Sequence, residues 1–176
     1  MIDPTLATEV DAVARLTGVF TLRSGQVSSE YFDKYRFEAD PALLRRVATE
    51  MLTLVPPETQ VLAGLELGGV PIATAMSLAS GLPAVFVRKQ AKAYGTRQAV
   101  EGGEIAGKRV VLVEDVITTG GAVADAARLV REAGGDILAV VCAIWRGEGP
   151  ATITSRPDLP VLAAMTRQDL AGSKGV

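Results

Sequence analysis

The stretch 110–122 reads VVLVEDVITTGGA, and it constrains the fold more strongly than any other part of the chain. An apolar, β-branched run leads into two adjacent carboxylates, Glu114 and Asp115, followed by two hydroxyls, two glycines and a helical pattern. Backbone N–H groups beside glycines can approach a phosphate closely, and a helix N-terminus adds about half a positive charge. The stretch therefore predicts a strand, an anion-binding turn and a helix, with the ligand at the carboxyl end of the strand.

The same alternation of strand and helix continues along the chain. Short apolar runs predict strands at 61–65, 84–87, 109–113, 137–145 and 161–165. Apolar residues at helical spacing predict helices from 4, from 41 towards 55, at 68–80 and at 119–133, and two extended pieces at 20–24 and 30–37 flank a Ser/Gly turn. Strands that alternate with helices are typical of a parallel sheet covered on both faces, so we expect an α/β fold.

The composition excludes several classes of chemistry. The 176-residue chain has no His and one Cys, Cys142, which excludes Ser-His-Asp and Cys-His catalysis, Cys-cluster zinc sites and disulfides. The net charge of −2 argues against a general nucleic-acid binder. No apolar stretch approaches the roughly 20 residues that cross a bilayer, and no signal pattern opens the chain. We therefore expect a cytoplasmic protein with no membrane or nucleic-acid partner.

The two carboxylates would repel an anion bound at the turn, so they should contact another part of the same ligand. Sugar hydroxyls, or a positive charge developing on a sugar ring, are suitable partners, and a phosphorylated ribose provides both. The sequence contains neither a G-x-x-x-x-G-K-[ST] nor a G-x-G-x-x-G fingerprint. The alternative interpretation is an ordinary strand–turn–helix junction with a solvated acidic turn.

A second segment, 88–97, reads RKQAKAYGTR and concentrates positive charge. Four cations lie within ten residues: Arg88, Lys89, Lys92 and Arg97. The glycines in and after the segment predict a mobile loop. Cations held this close repel one another in the free protein, so a polyanion is the expected partner. A solvated charged loop is the alternative.

The string VEDVITTGGA resembles the phosphoribosyl-pyrophosphate (PRPP) signature of the type I phosphoribosyltransferases. The resemblance implies that Glu114 and Asp115 contact the ribose hydroxyls of PRPP. It also implies that the turn holds the 5′-phosphate through the residues Val116, Ile117, Thr118, Thr119, Gly120, Gly121 and Ala122. Gly64 to Pro71, which joins a predicted strand to a helix, resembles the pyrophosphate loop of the same family.

The cationic segment resembles the R-K-x-x-K-x-H-G loop of the orotate phosphoribosyltransferase family. This implies that Arg88, Lys89, Lys92 and Tyr94 bind PRPP, although Tyr94 stands where the family has His. Lys92 would act in catalysis together with Glu114 and Asp115. In the family this loop reaches into the neighbouring subunit's site, so the resemblance also implies a homodimer in which 88–97 is shared across subunits.

Two further segments resemble the orotate family. The residues FTLRSG at 20–25, with Tyr31-Phe32-Asp33, match the pattern of a hood over the base, which places Arg23 near orotate. Arg146 follows a predicted strand at the place where a family Arg meets the orotate carboxylate, and Thr118 would help to orient the base. The family has Asp where this chain has Trp145.

Together these resemblances imply a type I phosphoribosyltransferase-like parallel sheet flanked by helices, with a small N-terminal hood. The chain 1–176 would form a single domain, with the hood mainly in 1–36 plus the C-terminal segment and the core at about 40–150. The implied reaction joins orotate and PRPP into orotidine 5′-monophosphate and pyrophosphate in pyrimidine (UMP) synthesis, with Mg²⁺ held mainly by PRPP and water and no metal site on the protein. The alternatives are a purine or uracil phosphoribosyltransferase and a PRPP-sensing regulator without turnover.

Overall fold

The computed structural model describes residues 4–22, 24–90 and 98–171. The strands are β1 (Arg15–Thr21), β2 (Val27–Phe32), β3 (Val61–Leu65), β4 (Ala84–Val87), β5 (Val100–Glu101), β6 (Arg109–Ile117), β7 (Asp136–Trp145) and β8 (Val161–Thr166). The helices are α1 (Pro4–Ala14), α2 (Tyr35–Ala39), α3 (Pro41–Leu52), α4 (Gly69–Ser80), α5 (Gly121–Glu132) and α6 (Arg167–Ala171).

A six-stranded sheet with the order β5-β4-β3-β6-β7-β8 forms the centre of the fold. All neighbouring strands in it are parallel except β5, which runs antiparallel to β4. The predicted parallel sheet is thus confirmed, and β3 and β4 have the predicted bounds. The strand predicted at 109–113 is too short, because Val116 and Ile117 still pair with Ile144 and Trp145 of β7.

Two apolar layers cover the sheet. Helices α1, α3 and α4 cover one face, where Val111, Val113 and Val141 are buried. Helix α5 covers the other face together with Ile153 and Leu159. The inner strands β3, β6 and β7 are buried on both sides, which is why their sequences are continuous apolar runs without polar alternation.

The local sequence explains where the long helices begin. Asp40 caps α3, since its Oδ1 accepts hydrogen bonds from the N–H groups of Ala42 at 2.8 Å and Leu43 at 3.1 Å. Pro41 follows at the first helical position, where a missing N–H costs nothing. Helix α5 begins at Gly121, later than the predicted 119, because Gly120 has a φ of 80° and lies outside the helix.

The N-terminal part of the chain differs from the prediction in the bounds of its extended pieces, since β1 covers Arg15–Thr21 where 20–24 was predicted. The extended piece predicted at 30–37 stops at Phe32, and α2 follows it. The strands β1 and β2 pair as an antiparallel hairpin. Beyond residue 150 the chain adds β8 to the edge of the central sheet, and α6 then packs against α1 near the N-terminus.

Within the described ranges, every helix is too short or too polar to cross a membrane.

The Asp40 cap generates a test of the fold. Asp40→Ala should lower the free energy of unfolding by about 1 kcal/mol, because two N–H groups of α3 lose their acceptor. Urea denaturation followed by circular dichroism measures this change. Asp40→Asn is the matched control, since Asn caps helices about as well as Asp. An equal loss in both variants would show that the charge of Asp40, and not its capping, stabilises the helix.

Candidate active site

A cavity of about 280 Å³ lies at the carboxyl ends of β3, β4 and β6, beside the N-terminal half of α5. Parallel strands bring their carboxyl ends to one edge of the sheet, which is where open α/β folds bind ligands. Four of the predicted site residues line this cavity: Arg88, Lys89, Glu114 and Ala122. Leu65, Glu66, Val87, Gln90, Asp125, Ala126 and Leu129 complete its wall.

Glu114 lines the cavity from the end of β6 and is 7% exposed. Its Oε1 accepts a hydrogen bond of 3.0 Å from the backbone N–H of Asp115. Burial, followed by the nearby charge of Asp115, raises the pKa of Glu114 to about 8. At neutral pH the Glu114 carboxyl is therefore mostly protonated in the free protein and can donate a hydrogen bond to a sugar hydroxyl.

Asp115 faces a different set of groups, because consecutive residues of a strand point to opposite sides. Its side chain has no exposed area, and its Oδ2 lies 2.6 Å from Nζ of Lys34. Its Oδ1 accepts a hydrogen bond from the N–H of Val116. A Cβ at Gly68 would overlap Oδ2 of Asp115 and lie 2.9 Å from Oε1 of Glu38, so only glycine fits there.

Lys34 and Glu38 are site residues that the sequence did not reveal. Glu38 is 7% exposed, and burial together with the charge of Asp115 raises the pKa of Glu38 to about 9. Burial opposes the charge on Lys34, but its hydrogen bond and ion pair with Asp115 outweigh this and raise the pKa of Lys34. The sequence signal that could have revealed Lys34 was its position directly after the Tyr31-Phe32-Asp33 segment.

The turn 118–122 connects β6 to α5 as the sequence predicted. Thr118, Thr119, Gly121 and Ala122 are exposed. Gly120 occupies the N-cap position with a φ of 80°, and a Cβ there would lie 2.6 Å from Ile153. A glycine N-cap has no side chain to satisfy the first N–H groups of α5, so these donors are suited to an external anion. Val116 is half-buried and Ile117 buried in the strand below the turn.

Arg88 and Lys89 place two cations at the end of β4. The Arg88 N–H donates to the carbonyl of Ala99 at 2.8 Å, and the Lys89 N–H donates to Oε2 of Glu66 at 3.0 Å. Nε of Arg88 is buried without a hydrogen-bond partner among the described residues. Three other predicted site residues, Arg23, Lys92 and Tyr94, lie outside the described ranges.

Arg146 extends from the end of β7 towards the β1–β2 hairpin. Its guanidinium lies 5.0 Å from the ring centroid of Phe32, and it lines a cleft of about 430 Å³. Burial lowers the pKa of Arg146, as do the positive charges of Arg167 and Arg15. This concentration of positive charge makes the cleft suitable for a carboxylate.

Trp145 stabilises the turn that follows β7. Its ring is buried, and its Nε1–H donates to the carbonyl of Gly149 at 3.1 Å. The N–H of Arg146 donates to the carbonyl of Ile117 at 2.8 Å. Arg146 and the turn at Thr118 are therefore tied to adjacent strand ends.

The chain is similar to proteins of one family over most of its length. Residues 37–156 match the family model of the phosphoribosyl transferase domain. The chain is 60% identical over 164 residues to an orotate phosphoribosyltransferase of Nocardioides sp., covering 92% of both chains. The orotate phosphoribosyltransferase of Mycobacterium tuberculosis in complex with Fe(III) dicitrate superposes with a TM-score of 0.84 at 32% identity, covering 95% of this chain and 97% of that one. The same enzyme in complex with PRPP gives a TM-score of 0.80 at 30% identity, with coverage of 96% and 98%.

The raised pKa values of Glu38 and Glu114 predict how stability depends on pH. Between about pH 4.5 and 9 the folded protein holds protons that the unfolded chain releases, so the free energy of unfolding should fall as pH rises through this window. The slope should be at most about 1.4 kcal/mol per pH unit for each proton. Denaturant unfolding at pH 5, 7 and 9 measures it.

Glu38→Gln should flatten this decline, because a neutral amide replaces one of the titrating groups. Glu58→Gln is the control, since Glu58 is exposed and distant from the cluster in sequence. Identical pH slopes for Glu38→Gln and the parent protein would contradict the assignment of a neutral Glu38.

Proposed function

Because this chain belongs to the orotate phosphoribosyltransferases within the phosphoribosyl transferase domain family, we propose that it joins PRPP and orotate. The bond between ribose C1 and the pyrophosphate oxygen breaks, a bond from C1 to a ring nitrogen of orotate forms, and that nitrogen loses its proton. Orotidine 5′-monophosphate and pyrophosphate are the products, and the reaction serves pyrimidine synthesis. The observation that carries the proposal is that Glu114, Arg88 and Lys89 line one cavity beside the start of α5, whose N-cap residue is a glycine without a capping side chain.

The turn 118–122 would hold the 5′-phosphate. The first N–H groups of α5 lack intrahelical partners, and Gly120 lets the chain turn closely around an anion. The dipole of α5 adds positive potential at the same point. These donors are fixed before the substrate arrives, so binding requires little rearrangement of the turn.

Glu114 and Asp115 would bind the ribose and act on its charge. A neutral Glu114 can donate to or accept from a ribose hydroxyl, whereas the Asp115 carboxylate forms an ion pair with Lys34. As the C1–oxygen bond lengthens, the ribose becomes cationic, and a preorganised negative charge lowers the energy of that state. Positioning and electrostatics would then account for catalysis without a covalent nucleophile.

The cations at the end of β4 would bind the departing pyrophosphate. Arg88 has a buried Nε with no partner among the described residues, and Lys89 is exposed beside it. We assign Lys92 to the same task as a catalytic residue and Tyr94 as a hydrogen-bond donor to pyrophosphate. Mg²⁺ commonly binds substrate phosphates and retains several waters, so we propose that it enters with PRPP and neutralises part of the leaving group's charge.

Orotate would bind between the turn and the hairpin. The guanidinium of Arg146 is half-buried, lies over Phe32 and can hold the orotate carboxylate through two parallel hydrogen bonds. Thr118 is exposed on the adjacent strand end, where its hydroxyl could contact the base. We assign Arg23 to the same base-binding group.

We further propose a homodimer in which segment 88–97 of one subunit completes the site of the other. A cytoplasmic location suits the chain's one cysteine, Cys142, which is buried and reduced within β7.

The direct test is the fall in ultraviolet absorbance as orotate is consumed in the presence of PRPP and Mg²⁺. Orotate should react in preference to uracil and hypoxanthine, because neither of these carries a carboxylate for Arg146. Arg146→Gln should raise the KM for orotate more than the KM for PRPP. Preferred consumption of hypoxanthine or uracil would overturn the proposal, and PRPP binding without turnover of any base would indicate a regulator.

A mixing experiment tests the shared site. Lys92→Ala and Asp115→Asn should each be nearly inactive alone, since each lacks one catalytic group. After subunit exchange in equal amounts, about a quarter of wild-type activity should return, because half of the dimers are mixed and each contains one intact site. Subunit exchange verified by mass spectrometry without any recovery would contradict the shared site.

A further inference from the structure

Four ionisable side chains from two elements meet beneath the proposed ribose site. Glu38 belongs to α2, Lys34 directly precedes this helix, and Glu114 and Asp115 lie near the carboxyl end of β6. The closest contact joins Nζ of Lys34 to Oδ2 of Asp115 at 2.6 Å. Oε1 of Glu38 is buried without a hydrogen-bond partner in the described part of the chain. Three buried carboxyl groups therefore lie within electrostatic reach of one partly exposed ammonium.

We propose that Lys34 is a positioning residue for the transfer reaction, whose ammonium pairs with the Asp115 carboxylate and holds it against Gly68. This inference rests on the proposed function, since the charge matters because a ribose cation forms above it. Lys34 itself does not contact the reacting atoms; it acts through Asp115.

The electrostatics of the cluster require a cation at this point. A carboxylate with no exposed area is strongly destabilised unless a charge or hydrogen bonds compensate it. Burial, followed by the charge of Asp115, raises the pKa values of Glu38 and Glu114. The Lys34 ammonium is the cation that the structure places against the third carboxyl, Asp115.

Lys34 also lies on the side of the Asp115 carboxylate that is nearest to solvent. Its side chain is 33% exposed although Asp115 is fully buried, so the ammonium lies between the buried carboxylate and solvent. Nζ also lies 5.3 Å from the ring centroid of Tyr35, which restricts the side chain from a second direction. The rigid backbone at Gly68 closes the remaining side of the Asp115 carboxylate.

A purely structural ion pair would have the same geometry. The test must therefore distinguish the effect of the Lys34 charge on the reaction from its effect on folding. Lys34→Gln retains a hydrogen-bond donor and removes the charge, whereas Lys34→Arg retains the charge. Lys108→Gln is the control, because Lys108 is exposed just before the opposite end of β6. For each variant, kcat and KM for PRPP and orotate are measured from pH 6 to 10, with circular dichroism to verify folding.

We expect Lys34→Gln to lower kcat at pH 7 about tenfold, because the rising limb of the kcat profile moves from below pH 7 to above it. Activity should recover as the pH rises above the new limb. Lys34→Arg should restore the wild-type limb, and Lys108→Gln should not move it. A profile for Lys34→Gln that is merely scaled down, with its limb unmoved, would overturn the proposal.

Two further measurements cover the remaining outcomes. If Lys34→Gln does not fold, Glu38→Gln serves instead: it removes a competing acid and should move the limb downward, and an unmoved limb would overturn the proposal. If the wild type does not consume orotate, the proposed function fails, and carbon-13 NMR of the carboxyl groups still tests Lys34. The Asp115 signal, assigned with Asp115→Asn, should report an ionised group at pH 7 in Lys34→Arg and a protonated one in Lys34→Gln; equal signals would refute the inference.

Discussion

The carboxylate of Asp115 lies near the end of a strand that is buried on both faces. Burial of this group determines which residues can lie next to it. Lys34 supplies the opposite charge, Gly68 leaves room for the carboxylate, and Glu38 and Glu114 become neutral acids. Replacing such a pair with apolar residues often stabilises a protein, so retaining it suggests a task other than stability. The proposed task is to present a fixed negative charge to a substrate that becomes positive for an instant.

In the proposed complex, different elements at the edge of the sheet would bind the separate charged groups of PRPP. The 5′-phosphate would meet neutral amides at the start of α5, whereas the pyrophosphate would meet the cations at the end of β4. The carboxyls of β6 lie between the two, where neither phosphate needs to approach them closely. Because each element is fixed by its own strand, the relative positions of these groups follow from the parallel sheet itself.

The features predictable from the sequence were those encoded locally. Strands β3 and β4 and the capped helix α3 were found because apolar runs, Asp40-Pro41 and Pro56-Pro57 lie within a few residues of one another. The extra length of β6 was missed, since carboxylates normally argue against a buried strand and only pairing with β7 shows otherwise. Lys34 and Glu38 were missed for the same reason: their partner Asp115 is distant in sequence, and an isolated Lys in a loop resembles any solvated one. The motif resemblance, in contrast, selected Arg88, Lys89 and Glu114 although they are distant in sequence, and these residues line one cavity.

Trp145 has a consequence for how the cleft beneath the hairpin selects its occupant. Where the family pattern has an acid next to the arginine, this chain has a neutral indole that anchors the following residues by burial and one hydrogen bond to Gly149. Arg146 is thus oriented from the hydrophobic interior, with no adjacent anion in sequence to offset its charge. The cleft is lined by three arginines, Arg15, Arg146 and Arg167, and by one carboxylate, Glu30. In the proposed complex this excess of positive charge would favour acidic bases, and the preference should weaken as salt screens it.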